Sequence, residues 1–140
     1  MRRKNMIVFA LVAMVFAGCK KTTDNAAQWV GTYSAASGGG LGYNGFINQV
    51  QVEESNDFTL RLFLSTSSSS GVVTYVTLQN VTLQNGTNGT ISESDSTLGV
   101  HGAVAYTGSV QLLSGDTLKM VCAGVAPGGA TTNFNFYGVK

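Results

Sequence analysis

From residue 29 onward, apolar positions recur at a spacing of two, and no stretch sustains the three-and-four spacing of an amphipathic helix. Short runs of Val, Thr, Leu, Tyr and Phe are separated by Gly, Ser and Asn clusters, the pattern of strands and turns. Strands are expected over residues 29–34, 45–54, 58–65, 72–84, 89–92, 98–107, 109–113, 116–123 and 131–139. The span 72–84 is long enough to be two pieces. Alternation assigns one apolar face to each strand. Those faces carry Trp29, Gly31 and Tyr33; Phe46, Val50 and Val52; Phe58, Leu60, Leu62 and Leu64. Further on they carry Leu98, Val100, Val104 and Tyr106; Leu118, Met120 and Cys122; and Phe134, Phe136 and Gly138. The opposite faces carry Gln49, Gln51, Glu53, Thr59, Arg61, Thr117 and Lys119. One apolar and one polar face per strand describes an antiparallel sheet with one side solvated.

One segment breaks the alternation in a regular way. Residues 76–85 read VTLQNVTLQN, a pentapeptide written twice. Five is odd, so a straight strand that turns Val76 and Leu78 inward would turn Val81 and Leu83 outward. All four look like core residues. Either a bulge at Gln79-Asn80 or a two-residue hairpin there restores the phase. Two-residue hairpins favour Asn-Gly or Asp-Gly, and Gln-Asn is poor chemistry for one, so a bulge is the expected device. Bulges help a sheet curl, which favours a barrel over a flat sandwich. Eighteen glycines and a single proline in 140 residues suit the same all-β architecture. The fold expected is a small antiparallel β-barrel of about eight strands, with a two-sheet β-sandwich as the alternative. Closure would bring Phe134 to Gly138 beside Trp29 to Tyr33, because closure removes exposed edges.

The motifs Trp29-Val-Gly31-Thr-Tyr33, Val76-Thr-Leu78-Gln-Asn80-Val81-Thr-Leu83 and Phe134-Asn-Phe136-Tyr-Gly138-Val-Lys140 together resemble the small lipocalin-like, or calycin-like, β-barrel lipoproteins of Bacteroidetes. The resemblance covers roughly residues 28–140. It implies a barrel of about eight antiparallel strands and no common activity.

The first residues change the picture from a free domain to an anchored one. Arg2, Arg3 and Lys4 precede an apolar run from Met6 to Ala17, too short for a membrane span of roughly 20 residues. The run ends in Phe16-Ala17-Gly18-Cys19, which resembles the bacterial lipobox. That resemblance implies a diacylglyceryl group on Cys19 and cleavage before it. The expected organisation is a lipoprotein signal peptide over 1–18, a lipidated cysteine and polar tether over 19–28, and a β-barrel domain over 29–140. The localisation expected is the bacterial cell envelope, with the lipid holding the protein to a membrane, the outer one in first place. Surface and periplasmic facing both stay open, since Asp24 is the one acidic residue in the tether.

Charge and cysteine content exclude other classes. After the signal, Lys20, Lys21, Arg61, Lys119 and Lys140 face seven acidic residues, with no basic stripe that would suit nucleic acid. With Cys19 lipidated, Cys122 has no disulfide partner. His101 is the sole histidine, and metal sites or acid–base pairs need further partners. Cys122 falls on an apolar face, where a free cysteine behaves as a small hydrophobe. Glu53, Glu54 and Asp57 flank a turn and read as solvated. The spacing of Asn88, Ser92, Glu93 and Asp95 does not match an EF-hand loop. No catalytic residue, metal or cofactor is therefore expected. Asp95-Ser96-Thr97 resembles the O-glycosylation signal of Bacteroidetes envelope proteins and makes Ser96 a candidate acceptor; Asp116-Thr117-Leu118 is a second such triplet.

The tyrosines remain. Tyr43, in the Gly-rich segment Gly38 to Gly45, and Tyr33, Tyr75 and Tyr106 are the candidate ligand contacts. The function expected is a non-catalytic binding module for a small molecule, glycan or lipid, since barrel interiors and ends are usual ligand sites. The alternative is a structural or assembly component of the envelope that acts through a protein partner.

Overall fold

The computed structural model describes residues 24–35, 47–95, 104–114 and 116–140. Eight strands follow a short 3₁₀ turn at Ala27–Trp29: β1 Gly31–Ala35, β2 Gln49–Asn56, β3 Thr59–Ser68, β4 Gly71–Leu83, β5 Asn88–Asp95, β6 Val104–Leu113, β7 Thr117–Val125 and β8 Thr131–Val139. Each strand pairs antiparallel with its sequence neighbour, and β8 returns to β1 through Ser34↔Val139 and Ala35↔Gly138. The result is a closed up-and-down barrel. The expected meeting of β1 and β8 occurs, a few residues further along β1 than the sequence suggested.

The repeat in β4 behaves as its parity required. Val76, Leu78, Val81 and Leu83 are all buried. Leu62 pairs with Leu78 and Leu60 with Val81, so Arg61 alone faces Gln79 and Asn80. The strand stays continuous through this bulge and is one piece of 13 residues. A second irregularity was not legible. Leu64 pairs with Val76 but Ser65 pairs with Thr74, which leaves Tyr75 as an extra residue.

Two other expectations change. The separate strands at 98–107 and 109–113 are replaced by one, β6, which runs through Gly108. A Cβ at Gly108 would collide with the Val121 carbonyl oxygen, so this glycine permits a close approach of β6 to β7 and marks no break. Phe58, expected on the inward face with Leu60, is 56% exposed. The chain turns at Asp57-Phe58 and β3 begins only at Thr59, so Phe58 never enters the alternation. Phe46, Leu98 and Val100 lie outside the described residues.

The two ends of the barrel differ. At one end the 3₁₀ turn folds under the strands. Asp24 starts it by accepting the backbone N–H groups of Ala26 and Ala27 through Oδ1, both at 3.0 Å. Trp29 and Ala26 are fully buried and fill this end with Tyr33, Leu118, Met120 and Phe136. The Gln28 amide donates to the Gly86 carbonyl and the Lys140 ammonium donates to the Gln28 carbonyl at 2.8 Å, tying the turn to the β4–β5 loop and to the end of β8. At the other end lie the turns β3–β4 and β7–β8 and the strand termini Ala35, Asp95 and Val104.

Candidate functional site

The open end holds a cavity of about 300 Å³ that is partly open to solvent. Its walls are Tyr75 and Val76 on β4, Val104 and Tyr106 on β6, Gly124 and Ala126 at the end of β7, and Ala130, Thr132 and Phe134 at the start of β8. The volume is at the lower limit of ordinary ligand pockets, and the lining, apolar with a few hydroxyls, is of the usual kind.

Local backbone geometry makes this wall. Successive residues of a strand point to opposite faces, yet Tyr75 and Val76 both line the cavity. The second bulge accounts for it: the extra residue breaks the phase and turns Tyr75 to the barrel mouth, where it remains 38% exposed. Tyr106 is buried and its ring lies over Gly124, where a Cβ would meet Tyr106 Cε1 at 2.8 Å. The Tyr106 and Phe134 rings are tilted at 53° with centroids 6.0 Å apart, within the range of favourable aromatic pairs. Small residues at Gly124, Ala126 and Ala130 leave the space that these rings border.

The four tyrosine candidates therefore separate. Tyr75 and Tyr106 meet at the cavity. Tyr33 is fully buried toward the filled end and is not part of the cavity wall. Its hydroxyl donates to the Trp29 carbonyl at 2.8 Å, and the Lys140 ammonium sits 5.3 Å from its ring centroid. Burial, with a smaller contribution from the Asp116 carboxylate, raises its pKa to about 12. Tyr33 is thus a structural tyrosine of the plug. Tyr43, Ser96 and Cys19, the third of these being the candidate lipidation residue, lie outside the described residues, as does His101. Thr117, in the second glycosylation-like triplet, is only 9% exposed, and its hydroxyl donates to Asp116 Oδ1 at 3.2 Å.

Cys122 is buried and pairs across the β7–β8 ladder with the wall residue Phe134. Burial first, and the Glu93 carboxylate second, raise its thiol pKa to about 12, which leaves it without the thiolate that nucleophilic chemistry needs. Glu53 pairs loosely with Arg61 at 3.6 Å, both side chains well exposed. Asp24, Glu54 and Asp57 converge at the filled end, with carboxylate oxygens within 4.8 Å of one another; all three are exposed. The sequence did not connect Asp24 to that pair, because the approach of Asp24 to the β2–β3 turn has no local signal.

Glu93 has a role that sequence reading missed. It pairs with Tyr106 across the β5–β6 ladder and shares parity with buried Ile91, so it stands on the inward face. Its carboxylate accepts the backbone N–H of Gln79 at 2.8 Å and of Asn80 at 3.3 Å. The two amides freed by the first bulge are thus satisfied by one side chain from the next strand. The contact lies where β4 and β5 separate, since their ladder consists of Thr82↔Thr90 and Leu83↔Gly89 alone.

No protein-family model and no curated protein matches the chain. Among solved structures, one of a redesigned β-barrel superposes with a TM-score of 0.52 at 16% sequence identity, over 84% of this chain and 96% of that one. The likeness is one of fold: this chain is an all-β, closed, eight-stranded antiparallel barrel.

Proposed function

We propose that the protein is a non-catalytic binding module that holds a small, largely apolar molecule at the open end of its barrel. The observation that carries this reading is the asymmetry of the interior: one end is filled by Trp29, Tyr33 and Phe136, while the other keeps a cavity bordered by Tyr75, Tyr106 and Phe134. Gly124 makes room for the Tyr106 ring, and the small side chains of Ala126 and Ala130 leave the space beside it unfilled. Aromatic walls with the Thr132 hydroxyl suit a molecule with a flat apolar body and few polar groups, such as a lipid fragment, an aromatic metabolite or the face of a sugar. Resemblance to calycin-like lipoproteins of Bacteroidetes fits this reading, and the lipobox-like Phe16-Ala17-Gly18-Cys19 supports a position at a bacterial membrane, with a lipid anchor on Cys19.

A thermal-shift screen of glycans, lipids and aromatic metabolites tests the binding reading. A true ligand raises the melting temperature of the wild type and leaves Ala126→Leu, in which the cavity is filled, unmoved. A screen without any shift that Ala126→Leu abolishes leaves the second reading, an envelope component that acts through a protein partner. That reading draws on the outward-facing Val121, Val125, Tyr137 and Val139 of β7 and β8, each about 40–50% exposed. The anchor is tested separately: Cys19→Ala should move the protein from the membrane to the soluble fraction, and unchanged fractionation would count against lipidation.

A further inference from the structure

We propose that the open-end cavity selects a ligand bearing an ammonium or similar positively charged donor group, and discriminates against anionic ligands, through Glu93. The inference deepens the binding reading and rests on it. Glu93 stands on the inward face of β5 beside the cavity without being one of its wall residues; Glu53, Arg61 and Lys119 are on outward positions, and Glu54, of inward parity across from Leu60, and Lys140 belong to the filled end. Glu93 sits directly across the ladder from Tyr106, a wall of the cavity, on the same side of the sheet. β5 itself lies between β4 and β6, both of which contribute wall residues.

The carboxylate is fixed in place. Each of its oxygens accepts one bulge N–H, and a carboxylate offers about four lone-pair sites, so acceptor capacity remains for a ligand. Its field reaches the barrel interior, since it helps raise the pKa of Cys122, the residue two positions along β7 from the wall residue Gly124. The aromatic wall acts in the same sense. Tyr75, Tyr106 and Phe134 border the cavity with aromatic rings, whose quadrupoles favour a cation over an anion, and no cationic side chain is among the wall residues to balance an anion. Carboxylate and aromatic rings thus favour the same ligand charge from independent directions.

Three probes with one phenethyl body separate the possibilities: phenethylammonium, phenethyl alcohol and hydrocinnamate, titrated calorimetrically into the wild type and Glu93→Gln. The wild type should bind the ammonium roughly ten-fold more tightly than the carboxylate, with the alcohol between, a ratio suited to one charge at partly solvated range. Glu93→Gln should bring the three within about two-fold of one another. If Glu93→Gln does not fold, salt provides the second measurement. In the wild type, raising salt from about 0.05 M to about 0.5 M should weaken the ammonium, strengthen the carboxylate and leave the alcohol unchanged. Hydrocinnamate binding as tightly as phenethylammonium, or a preference that neither Glu93→Gln nor salt alters, overturns the inference and leaves the binding reading intact. Failure of all three to bind overturns both.

Discussion

The filled end and the open end of this barrel are made from similar residues with opposite results. Both use aromatic side chains on inward positions of short strands. At the filled end Trp29 arrives from outside the sheet, on the 3₁₀ turn, and takes the space that strand side chains leave; Tyr33, Met120 and Phe136 pack with it. At the open end Tyr106 and Phe134 stand against Gly124, Ala126 and Ala130, and the volume they leave is kept. Aromatic content therefore does not decide whether an eight-stranded barrel is hollow. The decision lies in whether a further segment is folded under the strands and whether the facing positions are small.

The largest effect is expected where the two ends are coupled. Deleting Arg61, the residue opposite the bulge of β4, makes Leu60 and Leu62 adjacent in β3, so these two buried side chains can no longer face inward together. We expect loss of more than about 5 kcal/mol, beyond the range of an ordinary point substitution, seen as loss of the near-ultraviolet circular dichroism of the packed aromatics. Retention of a cooperative melt would mean that the ends are less coupled than the register indicates. Truncation should next distinguish the ends. Trp29→Ala should cost about 3–5 kcal/mol in urea unfolding, as other buried aromatic truncations do. Tyr75→Ala, at the rim of an existing cavity, should cost under about 1 kcal/mol. Equal costs would erase the contrast.

Alkaline pH probes the interior without mutation. In the fold, the Cys122 thiol and the Tyr33 hydroxyl have pKa values raised to about 12 from reference values of 9.0 and 10.0. Above pH 9 the unfolded chain therefore loses protons that the folded chain still holds. Their stabilising effect is full below that point and declines as the pH rises toward 12. Urea midpoints should fall over this window. Cys122→Ala should delay the onset, and Tyr33→Phe should flatten the upper part, after a fixed loss of about 1 kcal/mol for the hydrogen bond to Trp29. A midpoint that is constant to pH 11 would contradict the burial of both groups. The smallest effect on stability belongs to Ala126→Leu, about 0.5 kcal/mol in either direction, because the new side chain enters space that is already empty.

Much of this architecture was legible because it follows from parity. Two-residue alternation, the odd length of the repeat and the glycine-rich breaks lead to an antiparallel barrel with a bulge at Gln79-Asn80. The cavity was legible in part: Tyr75 and Tyr106 stood out as aromatics, but so did Tyr33, and alternation alone cannot tell one end of a barrel from the other. The bulge at Tyr75 left no repeat to betray it. The role of Glu93 was missed for a physical reason: it was weighed only by its spacing to other cation ligands, and its partners are main-chain amides with no residue signature. Phe58 shows the converse error, an apolar side chain assigned to the core although the turn begins before its strand does.

The meander connectivity has a kinetic consequence. Seven of the eight strand pairings join neighbours in sequence, and only β1 with β8 must find each other across about a hundred residues. The local hairpins can form on microsecond timescales, whereas the closing contact carries the loop entropy of nearly the whole domain and offers two ladder pairs in return. The last step of folding should therefore be the zipping of this seam, with an open, curled sheet of eight strands as the species that precedes it. Such a sheet bares two strand edges until it closes, so the rate of closure also sets how long the chain is exposed to edge-to-edge association.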